Sequence, residues 1–369
     1  MQLAFCIYKY FPFGGLQRDF LQIAKACQQQ GHNIRIYVMK WQGEQPQNME
    51  IILVPQKGFS NNVRNENYHR WVQNHLKQHP TDRVIGFNKM PNLDVYFAGD
   101  TCFAEKASHK GFFYRISSRC RHYLAFEKAV FSPQSQTKLM MLTHSQINEF
   151  IKHYQTPKER FFILPPGIAI NRKYHQQSAS IGQQFRQNNH IDPDAFVIVQ
   201  IGSDFKRKGV DRSLQAIAAL PDELKQRIVY LVIGQDNPDA YQKLAATLHI
   251  EDNVRFYAGR DDIPDFLFAA NLLLHPARQE AAGMVIVEAL AAGVPVIVSG
   301  ISGYAYHVES AQAGVVLDEP YSQQQLDHAL HQAINSATQI SQWQQAAIHY
   351  GDTVDLYHLA DKAAEIILN

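Results

Sequence analysis

The sequence predicts an α/β protein made of two doubly wound parallel-sheet domains facing each other across a cleft. Three observations carry that expectation. Short apolar runs of strand length alternate with helical segments, the pattern of parallel strands buried on both faces. The alternation occurs in two passages, separated by Pro165-Pro166-Gly167 and a polar stretch over Asn171–Asn189. The 369 residues are also about twice the usual length of one domain.

The first passage opens with a strand run over Leu3–Tyr8 and a loop holding Gly14 and Gly15. Leu16, Phe20, Ile23, Ala24 and Cys27 then recur at helical spacing, with Gly31 placed to end the helix. A strand over Ile34–Met39 completes a βαβ unit. Further strands are expected at Ile51–Val54, Arg83–Phe87, Val95–Ala98 and Lys138–Leu142, then a helix opened by Ser145 and a strand over Phe161–Leu164. The second passage supplies strands at Phe196–Ile201, Ile228–Gly234, Val254–Tyr257, Leu272–His275, Val294–Ser299 and Gly314–Leu317. With the linker near Pro165–Arg172, the domains are 1–168 and 169–350. The segment 351–369 is expected to be a helix packing back on the first domain.

Composition removes several classes. The chain is 46% apolar and 19% charged, which excludes a disordered, collagen-like or small disulfide-framework protein. Cys6, Cys27, Cys102 and Cys120 show no C-x-x-C spacing and suit reduced core thiols of a cytoplasmic protein. The N-terminal apolar run lacks a basic flank and is too short for a signal peptide. Ala281–Gly303 carries only Glu288 as a charge, but Gly283, Gly293, Pro295 and Gly300 divide it into a buried helix and strand. The net charge of +1 conceals a division: residues 1–172 hold 22 Lys+Arg against 11 Asp+Glu, and residues 173–369 hold 13 against 23. Such asymmetry implies two surfaces with different partners.

Two segments carry chemistry. His275-Pro276-Ala277-Arg278-Gln279-Glu280-Ala281-Ala282-Gly283-Met284-Val285-Ile286-Val287-Glu288 leaves a strand and enters a helix near Gly283, where ligands of parallel sheets bind. A helix start offers free N–H groups to a phosphate, and glycine lets the backbone approach it. Glu280 and Glu288 would then accept hydrogen bonds from sugar and ribose hydroxyls, since a carboxylate cannot usefully face a phosphate. A surface acid and a helix-capping acid give the same two letters, so the pair alone does not decide. The second segment, Gly202-Ser203-Asp204-Phe205-Lys206-Arg207-Lys208-Gly209, puts three cations after a strand, able to neutralise a departing diphosphate without a metal. The residues alone leave a solvated basic loop equally open. Neither glycine loop fits a Walker or G-x-G-x-x-G pattern. Asp192-Pro193-Asp194 reads as turn chemistry, and His75 and His79 share a helix face without a third ligand, so no metal site is expected.

Together these segments resemble the retaining glycosyltransferases of family 4, which have the two-domain, Rossmann-like GT-B fold. Their E-x7-E signature is met by Glu280 and Glu288, and their basic pair by Arg207 and Lys208. Within that family, Tyr8–Phe20 and Gly86–Tyr96 look like the heptose α-1,3-glucosyltransferases of lipopolysaccharide core assembly (the glucosyltransferase I group). The resemblance implies transfer of glucose from UDP-glucose to the inner-core heptose of a lipid A-type acceptor. It implies that Glu288 holds the ribose, that Glu280 and the backbone at Ala282 and Gly283 meet the transferred sugar, and that Arg207 and Lys208 hold the diphosphate beside Gly202. Arg172 would make a further phosphate or interdomain contact, and Arg260 would flank the uracil. Gly14 and Gly15 would let the first loop approach the donor phosphate, while Asp19 and Asp100 resemble acceptor-site acids. Many members carry a histidine near the position of Asp100. No protein nucleophile and no cofactor are implied: the leaving β-phosphate would itself take the acceptor proton.

Much of the positive charge lies in 102–131. Lys106, Lys110, Arg115, Arg119, Arg121 and Lys128 interleave with aromatic residues including Phe112, Phe113 and Tyr123. On one helix, Phe113, Ile116, Cys120 and Tyr123 would form a stripe. An ordinary docked helix gives the same pattern. The lipid-anchored acceptor favours an anionic membrane surface, and each cation there contributes roughly 1 kcal/mol. The enzyme is thus expected at the inner face of the cytoplasmic membrane as a peripheral protein. No nucleic-acid motif accompanies the basic residues.

Overall fold

Apolar strand runs covered by helices form the two large sheets of the computed structural model, which describes residues 1–12 and 14–369. Phe13, within the Tyr8–Phe20 segment, lies outside the described residues. The chain divides into two units: Met1–Gly167 with His358–Asn369, and Ile168–Tyr357. The segment 351–369 is therefore shared between them. Its first residues finish the helix Ala337–Thr353 of the second unit, and its helix Leu359–Leu368 lies against the Gly15–Gln29 helix of the first. Leu359, Ala363 and Ile367 recur every four residues on the buried face of that last helix.

The first unit holds a seven-stranded parallel sheet. Its spatial order is Glu50–Leu53, Asn33–Val38, Gln2–Cys6, Arg83–Gly86, Val95–Phe97, Lys138–Met141 and Phe161–Ile163. Leu3 sits opposite Ile34 on one side and Arg83 on the other. Leu3, Ala4 and Phe5 are all buried, because helices on both faces leave no solvent side. The second unit repeats the plan with six strands, ordered Val254–Tyr257, Ile228–Ile233, Phe196–Ile201, Leu272–His275, Val296–Ser299 and Gly314–Leu317. In each sheet the chain starts at the centre, builds out to one edge, then returns to fill the other side. The loops leaving the first and fourth strands therefore diverge and open a crevice at their carboxyl ends.

Two local expectations need correction. The helix His144–Tyr154 is capped by Thr143, not Ser145: the Thr143 backbone is extended and its hydroxyl accepts the Gln146 N–H at 3.3 Å. The basic segment is three helices, Phe103–Ser108, Phe112–Arg115 and Ser118–Phe131, so the stripe from Phe113 to Tyr123 is not continuous. Ser117 stops it, because its hydroxyl accepts the Cys120 N–H and starts a new helix there. All four cysteines are free and buried, and burial pushes the Cys6 and Cys27 thiols up to about 12.

Candidate active site

In the second unit, the strands Phe196–Ile201 and Leu272–His275 are neighbours, and their carboxyl ends carry the two chemistry-bearing loops. Gly202 has φ +140°, and a Cβ there would stand 2.9 Å from Lys208 Cε. Glycine thus leaves the path along which Lys208 folds back over the strand end. Asp204 adopts the left-handed conformation at φ 64°, and its carboxylate accepts the Arg207 N–H at 3.3 Å and Arg207 Nε at 3.1 Å. The resulting turn, Phe205–Lys208, separates the three cations. Lys206 is exposed, Arg207 is half-buried and Lys208 is buried.

Lys208 Nζ donates to Glu280 Oε2. Arg207 Nη1 lies 3.6 Å from the same oxygen and donates to the Gln279 carbonyl at 3.1 Å. His275, fully buried, brings Nε2 to 3.4 Å of that oxygen, yet neither ring nitrogen makes a hydrogen bond. Burial works to raise the Glu280 pKa. The neighbouring imidazole and the Lys208 charge outweigh it and hold the carboxyl well below its usual range. Burial pushes His275 down, so it stands neutral beside an ionised glutamate. Arg278 fixes the two loops to each other through a bidentate pair with Asp211 at 2.7 and 2.6 Å, a bond from Nη1 to the Lys206 carbonyl, and its own N–H to the Arg207 carbonyl.

Glu288 lies on the helix Met284–Ala291, and its carboxylate is 3.8 Å from Arg172 Nε. Arg172 Nε and Nη1 are buried and make no hydrogen bond. Gly283 opens this helix at φ +93°; a Cβ there would approach Ile286 Cδ1 to 2.8 Å and Glu280 Cγ to 3.2 Å. The Ala282 carbonyl accepts the Tyr304 N–H at 2.7 Å. The structure therefore brings Glu280, Arg207, Lys208 and Gly202 together, and sets Glu288 with Arg172. Arg260 is exposed and bidentate to Asp262 at 2.7 and 2.6 Å.

In the first unit, Gly14 precedes the Gly15–Gln29 helix, and a Cβ on it would collide with Gln17 of that helix and with Phe11. A Cβ at Gly15 would meet nothing within 4 Å. Asp19 is buried and accepts Arg18 Nε and Nη2, each at 3.2 Å. Asp100 is exposed, and its carbonyl accepts Gln146 Nε2 at 3.4 Å.

The basic segment keeps its cations outside and buries one of its two acids, Glu127. Lys106, Lys110, Arg115, Arg119, Arg121 and Lys128 are exposed, as are Phe112 (70%) and Phe113 (84%); Tyr123 is half-buried, with the Arg119 guanidinium 5.9 Å above its ring. Glu105 faces Lys152 and His153, whose hydrogen bonds hold it near pKa 2. Glu127 is fully buried. It accepts Lys89 Nζ, the N–H groups of Phe103 and Ala104 at 2.7 and 2.8 Å, and the Tyr154 hydroxyl at 2.8 Å. With Glu127 buried and Glu105 paired to Lys152 and His153, the exposed charge of the segment is predominantly positive.

Sequence reasoning assigned no role to His275 or Arg278, although both lie in a segment it singled out, nor to Asp211, two residues beyond the other, nor to the Glu127 cluster. Asp192 Oδ1 accepts the Asp194 N–H at 2.8 Å, an Asx turn. Among the described residues, no group of three or more His, Cys, Asp or Glu side chains could hold a metal ion. Among them, too, no helix is long and apolar enough to cross a membrane.

Residues 182–350 match the family of glycosyl transferases group 1. The lipopolysaccharide glucosyltransferase WaaG of Escherichia coli (strain K12) is 52% identical over 368 residues, covering 100% of this chain and 98% of that protein. A D-inositol 3-phosphate glycosyltransferase of Streptomyces scabiei is 30% identical over 191 residues, 49% of this chain and 42% of the relative. The crystal structure of WaaG, described as a glycosyltransferase involved in lipopolysaccharide biosynthesis, superposes with a TM-score of 0.93, covering 99% of each chain. Anabaena Alr3699/HepE in complex with UDP and glucose shares the fold, with a TM-score of 0.75 at 17% identity over 100% of this chain and 99% of that one.

Proposed function

The chain belongs to the group 1 glycosyl transferases and has their GT-B fold, and on that premise we propose that it transfers glucose from UDP-glucose to the inner-core heptose of lipopolysaccharide, in α-1,3 linkage with retention of configuration. The full-length relative is named for glucosyl transfer to lipopolysaccharide. The observation that carries the donor side is the cluster of Lys208 and Arg207 around Glu280 at the crevice of the second sheet.

In this reading Arg207 and Lys208 receive the diphosphate and stabilise the charge that develops on it as the bond to glucose breaks. Their positive charge does the work a divalent metal would do, so transfer proceeds in EDTA. Glu280, released from Lys208, supports the oxocarbenium-like sugar. The acceptor hydroxyl attacks the anomeric carbon from the face the phosphate leaves, and its proton passes to the departing β-phosphate, giving UDP and the glucosylated heptose. Glu288, next to Arg172, takes the ribose hydroxyls, and Arg260 flanks the base. The acceptor is lipid-anchored, and the exposed Phe112, Phe113 and surrounding cations support docking on an anionic membrane surface at the cytoplasmic face. A screen of sugar nucleotides against heptosylated lipid A and its analogues, with linkage analysis of the product, tests the whole reading. Transfer of another sugar, or to another position, overturns it.

A further inference from the structure

Glu280 and its neighbour His275 rest on different supports. His275 ends the strand Leu272–His275, in register with Val298 of the adjacent strand, and its side chain is fully buried. Glu280 lies in the irregular loop that follows, ahead of the helix Met284–Ala291. A side chain carried on a strand is held more precisely than one on a loop.

Three basic groups gather at Glu280 Oε2: Lys208 Nζ, which donates to it, Arg207 Nη1 at 3.6 Å and His275 Nε2 at 3.4 Å. Lys208 and Arg207 are the cations a diphosphate would claim. The imidazole is buried beneath them and stays with the carboxylate. It is close but not bonded, since neither ring nitrogen has a hydrogen-bond partner among the described residues. A buried polar atom without a partner calls for a reason, and a bond that tightens only with substrate in place supplies one.

We propose that His275 is the positioning residue for Glu280: as the diphosphate draws Lys208 and Arg207 away, the Nε2–H closes on Oε2 and holds the carboxylate toward the transferred sugar. The inference rests on the proposed glucosyl transfer and deepens it. Neutrality fits an imidazole to this task. A lysine left on the carboxylate would cancel the charge that supports the oxocarbenium-like sugar. A neutral N–H orients the carboxylate and leaves its charge in place. Burial and the charges of Lys208 and Arg207 oppose protonation of His275; Glu280 favours it and is outweighed.

The test compares two substitutions in the full chain, each checked first for melting temperature and UDP affinity. Glutamine brings an amide N–H near the position of the imidazole Nε2, whereas leucine fills similar space and donates nothing. His275→Leu should lower kcat about 10- to 100-fold, the range for one hydrogen bond to a charged group, with the KM for UDP-glucose unchanged. His275→Gln should recover most of that loss. In a Glu280→Gln background, His275→Leu should cost little further, because the imidazole acts through the carboxylate. If the leucine variant does not fold, His275→Asn, whose amide falls short of the Nε2 position, takes its place. A folded variant without the Nε2 donor that turns over at the wild-type rate overturns the assignment. So does a loss that His275→Gln fails to recover, or one of equal size with and without the Glu280 carboxylate; either result leaves His275 a packing residue. Wild-type protein that transfers glucose from UDP-glucose to no heptosylated acceptor overturns the proposed function instead, and the same variants are then read on the sugar nucleotide and acceptor that do react.

Discussion

Lys208 and Glu280, 72 residues apart, form an ion pair across the carboxyl ends of two adjacent central strands. The pair is a consequence of topology. The strands they follow are neighbours only because the chain reverses its direction of sheet growth between them. Each partner's side chain is only 11% exposed, so neither charge could stand there alone without a large desolvation cost. The pair keeps both groups ionised and aligned before any substrate arrives. An incoming diphosphate would compete with Glu280 for Lys208 and free the carboxylate to face the sugar.

Neutralising that carboxylate should therefore separate binding from turnover. Glu280→Gln is expected to lower kcat by about 10²–10³-fold, the effect of losing one preorganised electrostatic contact to a transition state. Affinity for UDP should be unchanged or tighter, because Lys208 and Arg207 lose their competitor. Titration calorimetry with UDP and single-turnover transfer assays read the two quantities separately. A variant that turns over at the wild-type rate removes Glu280 from the chemistry.

Where the signal was local, it was legible. The strands Phe196–Ile201, Val254–Tyr257, Leu272–His275 and Gly314–Leu317 have the bounds expected of them, because an apolar run of that length bounded by polar or glycine residues leaves little choice. The cap of the His144–Tyr154 helix was misplaced by two residues, since Thr143 and Ser145 both carry a capping hydroxyl and only backbone geometry separates them. The three-helix break in 103–131 was masked by a helical spacing that happens to run across Ser117. Glu127 was least legible. In the sequence it is one acid within a basic stretch; its partners Lys89 and Phe103 lie 38 and 24 residues away, and only the fold brings them to it.

Glu127 should consequently be among the least replaceable residues outside the crevices. Glu127→Ala would leave Lys89, which is 12% exposed, without its counter-ion and two helix-start N–H groups unsatisfied. Breaking one partner of a buried ion pair typically costs about 3–5 kcal/mol. Urea denaturation followed by circular dichroism should show a loss of that size. A change below about 1 kcal/mol would mean the cluster contributes no more than a surface pair.

His307 should give the second unit an acid sensitivity above the carboxylate range. It is buried, its Nδ1 lies 2.7 Å from the Tyr350 hydroxyl, and burial lowers its pKa from 6.5 to about 4. Below pH 6.5 the unfolded chain takes up a proton that the folded chain refuses. Stability is then lost as pH falls from 6.5 to 4 and changes little further below, for a total of about 3 kcal/mol from this group. His275, also buried and lowered, acts in the same direction. His307→Gln should flatten the decline between pH 6.5 and 4 in denaturation curves, whatever it costs at neutral pH. An unchanged slope would assign the sensitivity elsewhere.

Membrane docking should depend on two different parts of the basic segment in two different ways. Phe112 and Phe113 stand out on a single helical turn, 70% and 84% exposed, and touch each other at a ring-centroid distance of 6.0 Å. Moving one such ring from water into an apolar phase is worth about 1.5–3 kcal/mol. Phe112→Ser with Phe113→Ser should reduce partitioning onto vesicles containing anionic lipid at least tenfold, and that loss should persist at high salt. Replacing Arg115 and Arg119 by Gln should produce a loss that is large at low salt and small at 0.5 M, because screening has already removed most of their attraction. Neither pair supports the core, so melting temperatures should stay within a degree or two of wild type. Vesicle cosedimentation at two ionic strengths distinguishes the contributions. If all four substitutions leave binding unchanged at both, the exposed segment serves something other than the lipid surface.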